Sequence, residues 1–228
     1  MSETDLNIGS APAAPSSPRR RGRTRALLAA GTLAAPFFNL TAGIQAGVRD
    51  GFDISRHPFS ALSVGDYGWV QIANFLLTGL LVIAAATGLR RVLPASRRVR
   101  WGTRLVAAHG LGLIGAGVFT TDAADGFPLG TPAGLPESFS GHALVHGIVT
   151  PLAFAAIVAA CLVLSVPLGA RYGVAWRNGS RLVPVGIVLV MAVPGLGGFS
   201  LRLALASALV LAWLASVSYR SSASLRNP

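Results

Sequence analysis

The run from Trp69 to Leu89, "WVQIANFLLTGLLVIAAATGL", holds no charged side chain over 21 residues. As an α-helix it is about 30 Å long, which matches the hydrocarbon thickness of a bilayer. A second run, His142 to Val166, is longer and equally free of acids and arginines. In hydrocarbon every backbone N–H and C=O must be satisfied within its own segment or a closed barrel. The chain is therefore read as an all-α integral membrane bundle.

Composition agrees. Of 228 residues 52% are hydrophobic and 12% charged, with a mean hydropathy of +0.60, too little polar surface to cover a water-soluble globule of this size. Six spans are expected: Ala26–Val48, Trp69–Leu89, Leu105–Thr120, His142–Val166, Leu182–Val193 and Leu203–Tyr219. The fifth is short, and "PGLGG" beyond it ends or kinks the helix. Residues 26–220 then form one six-helix transmembrane domain. Residues 1–25, rich in Pro, Ser and Arg, read as a disordered cytoplasmic tail, and 221–228 as a short cytoplasmic tail. The single Cys161 lies within an apolar run and reads as a small buried hydrophobe.

All nineteen basic residues are arginine, a bias expected of a GC-rich bacterial genome. Their positions orient the bundle, because arginine-rich short loops stay cytoplasmic. Arg19, Arg20, Arg21, Arg23 and Arg25 precede the first span, and Arg90, Arg91, Arg97, Arg98, Arg100 and Arg104 join the second to the third. Arg171, Arg177 and Arg181 join the fourth to the fifth, and Arg220 and Arg226 follow the last. Only Arg49, Arg56 and Arg202 fall on the other side, so both termini are expected in the cytoplasm of a multi-pass cell-membrane protein. A pI near 11.7 would suit nucleic acid if the charge were gathered on one soluble face. It sits at span ends instead, so the expected partner is the lipid bilayer and not nucleic acid.

Polar residues at the outer ends of the spans are the candidates for chemistry. "SGHALVH" opens the fourth span with His142 and His146 four residues apart, on one helix face. Asp122 lies at the end of the third, and "SRHPFSALS" brings His57 and Ser60 to the first outer loop. Two helical imidazoles with a carboxylate would hold zinc, or a similar divalent metal, with one position open. His142, His146 and Asp122 are thus the candidate metal ligands. His57, Ser60 and Asp122 are the candidate catalytic groups for proton transfer or attack.

Each has a plainer reading beside it. His142 can wet a helix start, His146 can face a neighbouring helix, and Asp122 can cap a turn or pair with Arg202. Ser60 can be a cap or loop hydroxyl. Arg202 and Asn74 are candidate ligand-binding residues. The arginine needs an acid or an anionic head group, and the amide needs an interhelical hydrogen bond or a ligand. The stripe Ala108, Gly112, Ala116 lets the third helix approach a neighbour closely. His109, thirteen residues before Asp122 and about 20 Å from it along a helix, is assigned to the inner half, away from the outer cluster.

Four blocks in order, "RHPFSALSVGDYGWVQIANFLLTGLLVIAAATGLRR", "GLIGAGVFTTDAADGFPLGTP", "GHALVHG" and "GLGGFSLR", resemble the bacterial six-helix membrane family catalogued as domain of unknown function 998. The resemblance covers most of Phe38 to Trp213 and implies a helical membrane fold with no established activity. The set of His57, Ser60, Asp122, His142 and His146 is also similar in residue type to the seven-helix lipid hydrolases that include alkaline ceramidases. Their order, helix count and loop setting differ from those here. Two functions follow. One is an outward-facing His/Asp/Arg pocket that binds an amphiphilic or lipid-like ligand or a partner. The alternative is a metal-assisted hydrolase acting on a lipid-like substrate, for which the ligand count is incomplete.

Overall fold

The structure is a computed structural model that describes residues 18–193 and 195–226. Among the described residues six α-helices follow one another: α1 (Pro18–Val48), α2 (Gly68–Val92), α3 (Arg97–Val118), α4 (Gly141–Tyr172), α5 (Val174–Ala192) and α6 (Phe199–Ala223). A short 3₁₀ turn, Phe59–Ser63, precedes α2. Among the described residues there is no strand. Four helices, α1, α2, α4 and α6, are long and apolar enough to cross a membrane. The other two carry arginines near their starts, Arg97, Arg98, Arg100 and Arg104 in α3 and Arg177 and Arg181 in α5.

The helices overrun the apolar windows because helical hydrogen bonding does not stop where hydropathy falls. α1 is described from Pro18 onward. Arg19 to Arg25 therefore lie on a helix, while residues 1–17, most of the expected disordered tail, fall outside the described residues. At the other end α6 continues to Ala223, and only 227–228 of the expected C-terminal tail are not described. α4 and α5 are separated by Gly173 alone, at φ 100°, a left-handed conformation that a side chain resists.

Each helix packs on its neighbours in sequence, and α1 packs on α6, so the six close into a ring. Leu28, Val82, Leu89, Val106, Ile157, Leu164 and Leu214 are fully enclosed at its centre. In lipid there is little hydrophobic drive between helices, so close contact of small residues does the work of association. A Cβ on Gly31 would strike Ser218 of α6 and Ala85 of α2, and one on Gly112 would strike Ala153 of α4. Of the expected stripe on α3, Gly112 and Ala116 pack inward while Ala108 is exposed. Contact with α2 is made instead through Gly110 and Gly117, on a face the four-residue period did not mark.

Candidate functional site

Segments 49–67, 119–140 and 195–198 gather at one end of the ring and form a cap. Just past α1, Arg49 reaches back over it. Its Nη1 donates to the Leu62 carbonyl, its Nη2 to the Val64 carbonyl at 2.6 Å, and its guanidinium lies 4.8 Å from the Phe127 ring centroid. Burial pushes this guanidinium below its usual range, against the attraction of Asp66. Gly198 lies so close under the Ser55 carbonyl oxygen that no Cβ fits between them, and Ser200 Oγ donates to the Arg56 carbonyl at 2.8 Å. The cap is thereby fastened to the start of α6.

His57 is the pin of this cap. Its Nδ1 accepts from the Asp53 N–H at 2.9 Å, so the ring proton sits on Nε2, which donates to the Asp125 carbonyl at 3.1 Å. Phe52 and Phe127 flank the ring at 5.5 and 5.4 Å. Both nitrogens are thus engaged with main chain, and neither is open for proton transfer. Nearby, Asp53 accepts from the Ser55 hydroxyl at 2.7 Å and the Ser55 N–H at 2.8 Å. Those two bonds, the hydroxyl first, hold its carboxyl below the usual carboxylate range.

Of the expected metal ligands, Asp122 and His146 are engaged with neighbouring residues, while His142 makes only a ring contact. Asp122 accepts from Ser140 twice, from Oγ at 2.6 Å and from N–H at 2.7 Å, and Ser140 in turn caps α4 by accepting from the Ala143 N–H. His142 is exposed, its ring 5.5 Å from Phe119. His146 is buried, and its Nδ1–H donates to the Phe119 carbonyl at 2.7 Å. Asp122 is thereby tied to the start of α4 through Ser140, and His142 and His146 both contact Phe119. Among the described residues no three His, Cys, Asp or Glu side chains stand together as a metal site.

The two expected ligand-binding residues go elsewhere. Arg202 donates from Nη1 to the Met191 carbonyl at 2.8 Å, where a cation meets the negative end of α5, and pairs with no acid among the described residues. Asn74 is buried between α1 and α2. Its Nδ2 donates to the Phe38 carbonyl at 3.1 Å and to Gln71 Oε1 at 3.2 Å, while Gln45 Nε2 donates to the same Gln71 oxygen at 2.8 Å. Asn74 thus makes the interhelical hydrogen bond, and it does not line the cavity described next.

Beneath the cap, inside the ring, lies a cavity of about 60 Å³. Every helix except α5 lines it, and the 3₁₀ turn closes it with Pro58, Phe59 and Ser60. α3 presents His109, Gly112, Leu113 and Ala116, and α4 presents His146, Thr150, Ala153 and Phe154. Of the residues singled out from the sequence, Ser60 and His146 border this space, while His57, Asn74, Asp122, His142 and Arg202 do not. His109 does border it, contrary to the expected place in the inner half. The 20 Å count assumed one helix through Asp122, whereas α3 stops at Val118.

His109 is 2% exposed, and its Nδ1–H donates to the Ala153 carbonyl at 2.9 Å. A carbonyl only accepts, so His109 and His146 both carry a proton on Nδ1, and the neutral form of each ring has its lone pair on Nε2. His109 Nε2 and Thr150 Oγ1 are buried with no hydrogen-bond partner. Thr150 and Ser207, which also line the cavity, were missed in sequence. The signal was present: His109, Gly112, Leu113, Ala116 and His146, Thr150, Ala153, Phe154 are each one helical face.

Several long apolar helices closed around a polar-tipped cavity define an α-helical membrane protein. The family described as "Protein of unknown function (DUF998)" matches residues 32–220, and this chain belongs to it. No curated protein and no solved structure matches the chain.

Proposed function

We propose that this chain is a multi-pass protein of the cell membrane that binds a small amphiphilic ligand in the cavity beneath its cap. All six helices span, and both termini face the cytoplasm. The arginines at the starts of α3 and α5 belong to the cytoplasmic interface, where such side chains extend their charge into water. The cap with its cavity then faces outward.

One observation carries the binding reading. His109 Nε2 and Thr150 Oγ1 are buried polar atoms with no partner among the described residues, and both residues line the same cavity. Leaving such atoms unpaired in a low-dielectric interior is costly, and a ligand or ordered water removes the cost. Binding is favoured over hydrolysis by the engagement of His57 and Asp122, whose ring nitrogens and carboxylate oxygens already hold the cap together.

The test is retention of ligand. Wild-type protein and a cavity-filling Thr150→Phe variant are purified identically, then extracted and compared by mass spectrometry. An amphiphile retained at stoichiometric level by the wild type and lost from the variant supports the reading. Equal content in the two sinks it.

A further inference from the structure

The binding reading leaves open which head group the cavity takes, and the proposal here rests on that reading. We infer that the site accepts a neutral, hydroxyl-bearing head group, held between Nε2 of His109 and Nε2 of His146. The argument is one of complementarity. Both residues line the cavity and have their Nδ1–H tied to main-chain carbonyls, Ala153 and Phe119, so the neutral ring of each leaves Nε2 as an acceptor, and that of His109 is buried with no partner among the described residues. The missing partner is therefore a donor.

Charge narrows the choice further. An ammonium is also a donor, but no Asp or Glu lines the cavity to balance it, and an unpaired buried cation is costly. A carboxylate or phosphate would meet two lone pairs instead of donors. The arginine nearest in sequence to the lining of α6, Arg202, donates to Met191 and does not border the space. A hydroxyl donates to an imidazole and accepts in return, and Thr150 Oγ1, still unpaired, can donate back to it. Ser60 and Ser207 line the same wall. At about 60 Å³ the space takes several waters or a head group of a few heavy atoms, and the remaining lining is apolar, led by Phe38, Phe75 and Phe154.

Two sources share this chemistry, a glyceride-type lipid and a free polyol, and the experiment separates them. Full-length protein in phosphatidylcholine nanodiscs is titrated with monooleoylglycerol, oleate, oleylamine and glycerol. The first three carry the same chain with neutral, anionic and cationic heads. Saturable binding of monooleoylglycerol, with oleate and oleylamine weaker by about tenfold or more, is the expected result. His109→Phe should weaken monooleoylglycerol by a similar factor. Thr150→Val, which keeps the volume, should do the same if the histidine variant does not fold. In histidine-labelled protein, monooleoylglycerol should move the ¹⁵N resonance of His109 Nε2.

Binding of glycerol alone, lost in Thr150→Val, would support the hydroxyl site and assign it to a free polyol. Preferential binding of oleate or oleylamine would overturn the neutral head group while leaving the ligand-binding reading intact. No saturable binding by any of the four would overturn both.

Discussion

Gly79 of α2 and Gly110 of α3 meet back to back: a Cβ on Gly79 would stand 2.5 Å from the Gly110 carbonyl oxygen, and one on Gly110 would stand 2.7 Å from that of Gly79. The obstacle on each side is backbone, which cannot rotate away. This contact sets the distance between the two helices, and α3 carries both His109 and the cavity-facing Gly112.

Replacing Gly110 by Ala should therefore lower stability by about 1–3 kcal/mol, the usual cost of forcing atoms into a packed interior. Gly147→Ala in α4, where a Cβ would meet nothing within 4 Å, is the control and should be neutral or slightly stabilising. Thermal unfolding of the detergent-purified variants decides it. Equal midpoints for both would refute the close contact.

Arg49 should not tolerate lysine. Its fork reaches two carbonyls, Leu62 and Val64, from separate nitrogens while lying over Phe127, and a single ammonium cannot reproduce that geometry. Arg49→Lys is expected to cost about 1–3 kcal/mol and to open segment 49–67 to protease, because buried carbonyls lose their donors. Cleavage at the wild-type rate would contradict this role.

Asp53 supplies a pH signature. Its carboxyl is held below the usual range by Ser55, so the folded state binds that proton less readily than the unfolded state does. The contribution is fully present above the unfolded value of about 3.9 and fades as pH falls through the lower folded value. The stability gap between wild type and Ser55→Ala should be constant at neutral pH and narrow below that region. It should also be small, since Asp53 is exposed. A gap that widens on acidification would show the sign to be wrong.

Reporter fusions check the orientation. Fusions near Asp53 and Asp125 should report the outside, and fusions near Arg98 and Arg177 the cytoplasm. Reversal of either pair would overturn the six-span arrangement.

Helices were the most legible feature of this sequence, because a charge-free run such as Trp69–Leu89 admits little else. Their ends were less so, since hydropathy marks where lipid is tolerated and not where hydrogen bonding stops; α3 begins at Arg97, not Leu105. The residues of the cap were found but their roles were not. His57 and Asp122 look alike in sequence whether they meet a ligand or a main-chain amide, and Arg49 looked like any interfacial arginine. His109 was misplaced for a related reason. Distance along a helix is readable from residue count, but the direction a face takes around the bundle depends on which neighbours close the ring.

That closure has a bearing on how the protein is made. Of the six helices, α1 is synthesised first and α6 last, yet the two pack together where Gly31 abuts Ser218. Until α6 is inserted, the small-residue face of α1 borders lipid, and the wall that Leu203 and Ser207 contribute to the cavity is missing. Assembly from the N-terminal side can set α1 through α5 in order, but the ring shuts only with the arrival of its final helix. The cavity is thus born open on the side of α6, and its wall is complete only when the last helix arrives.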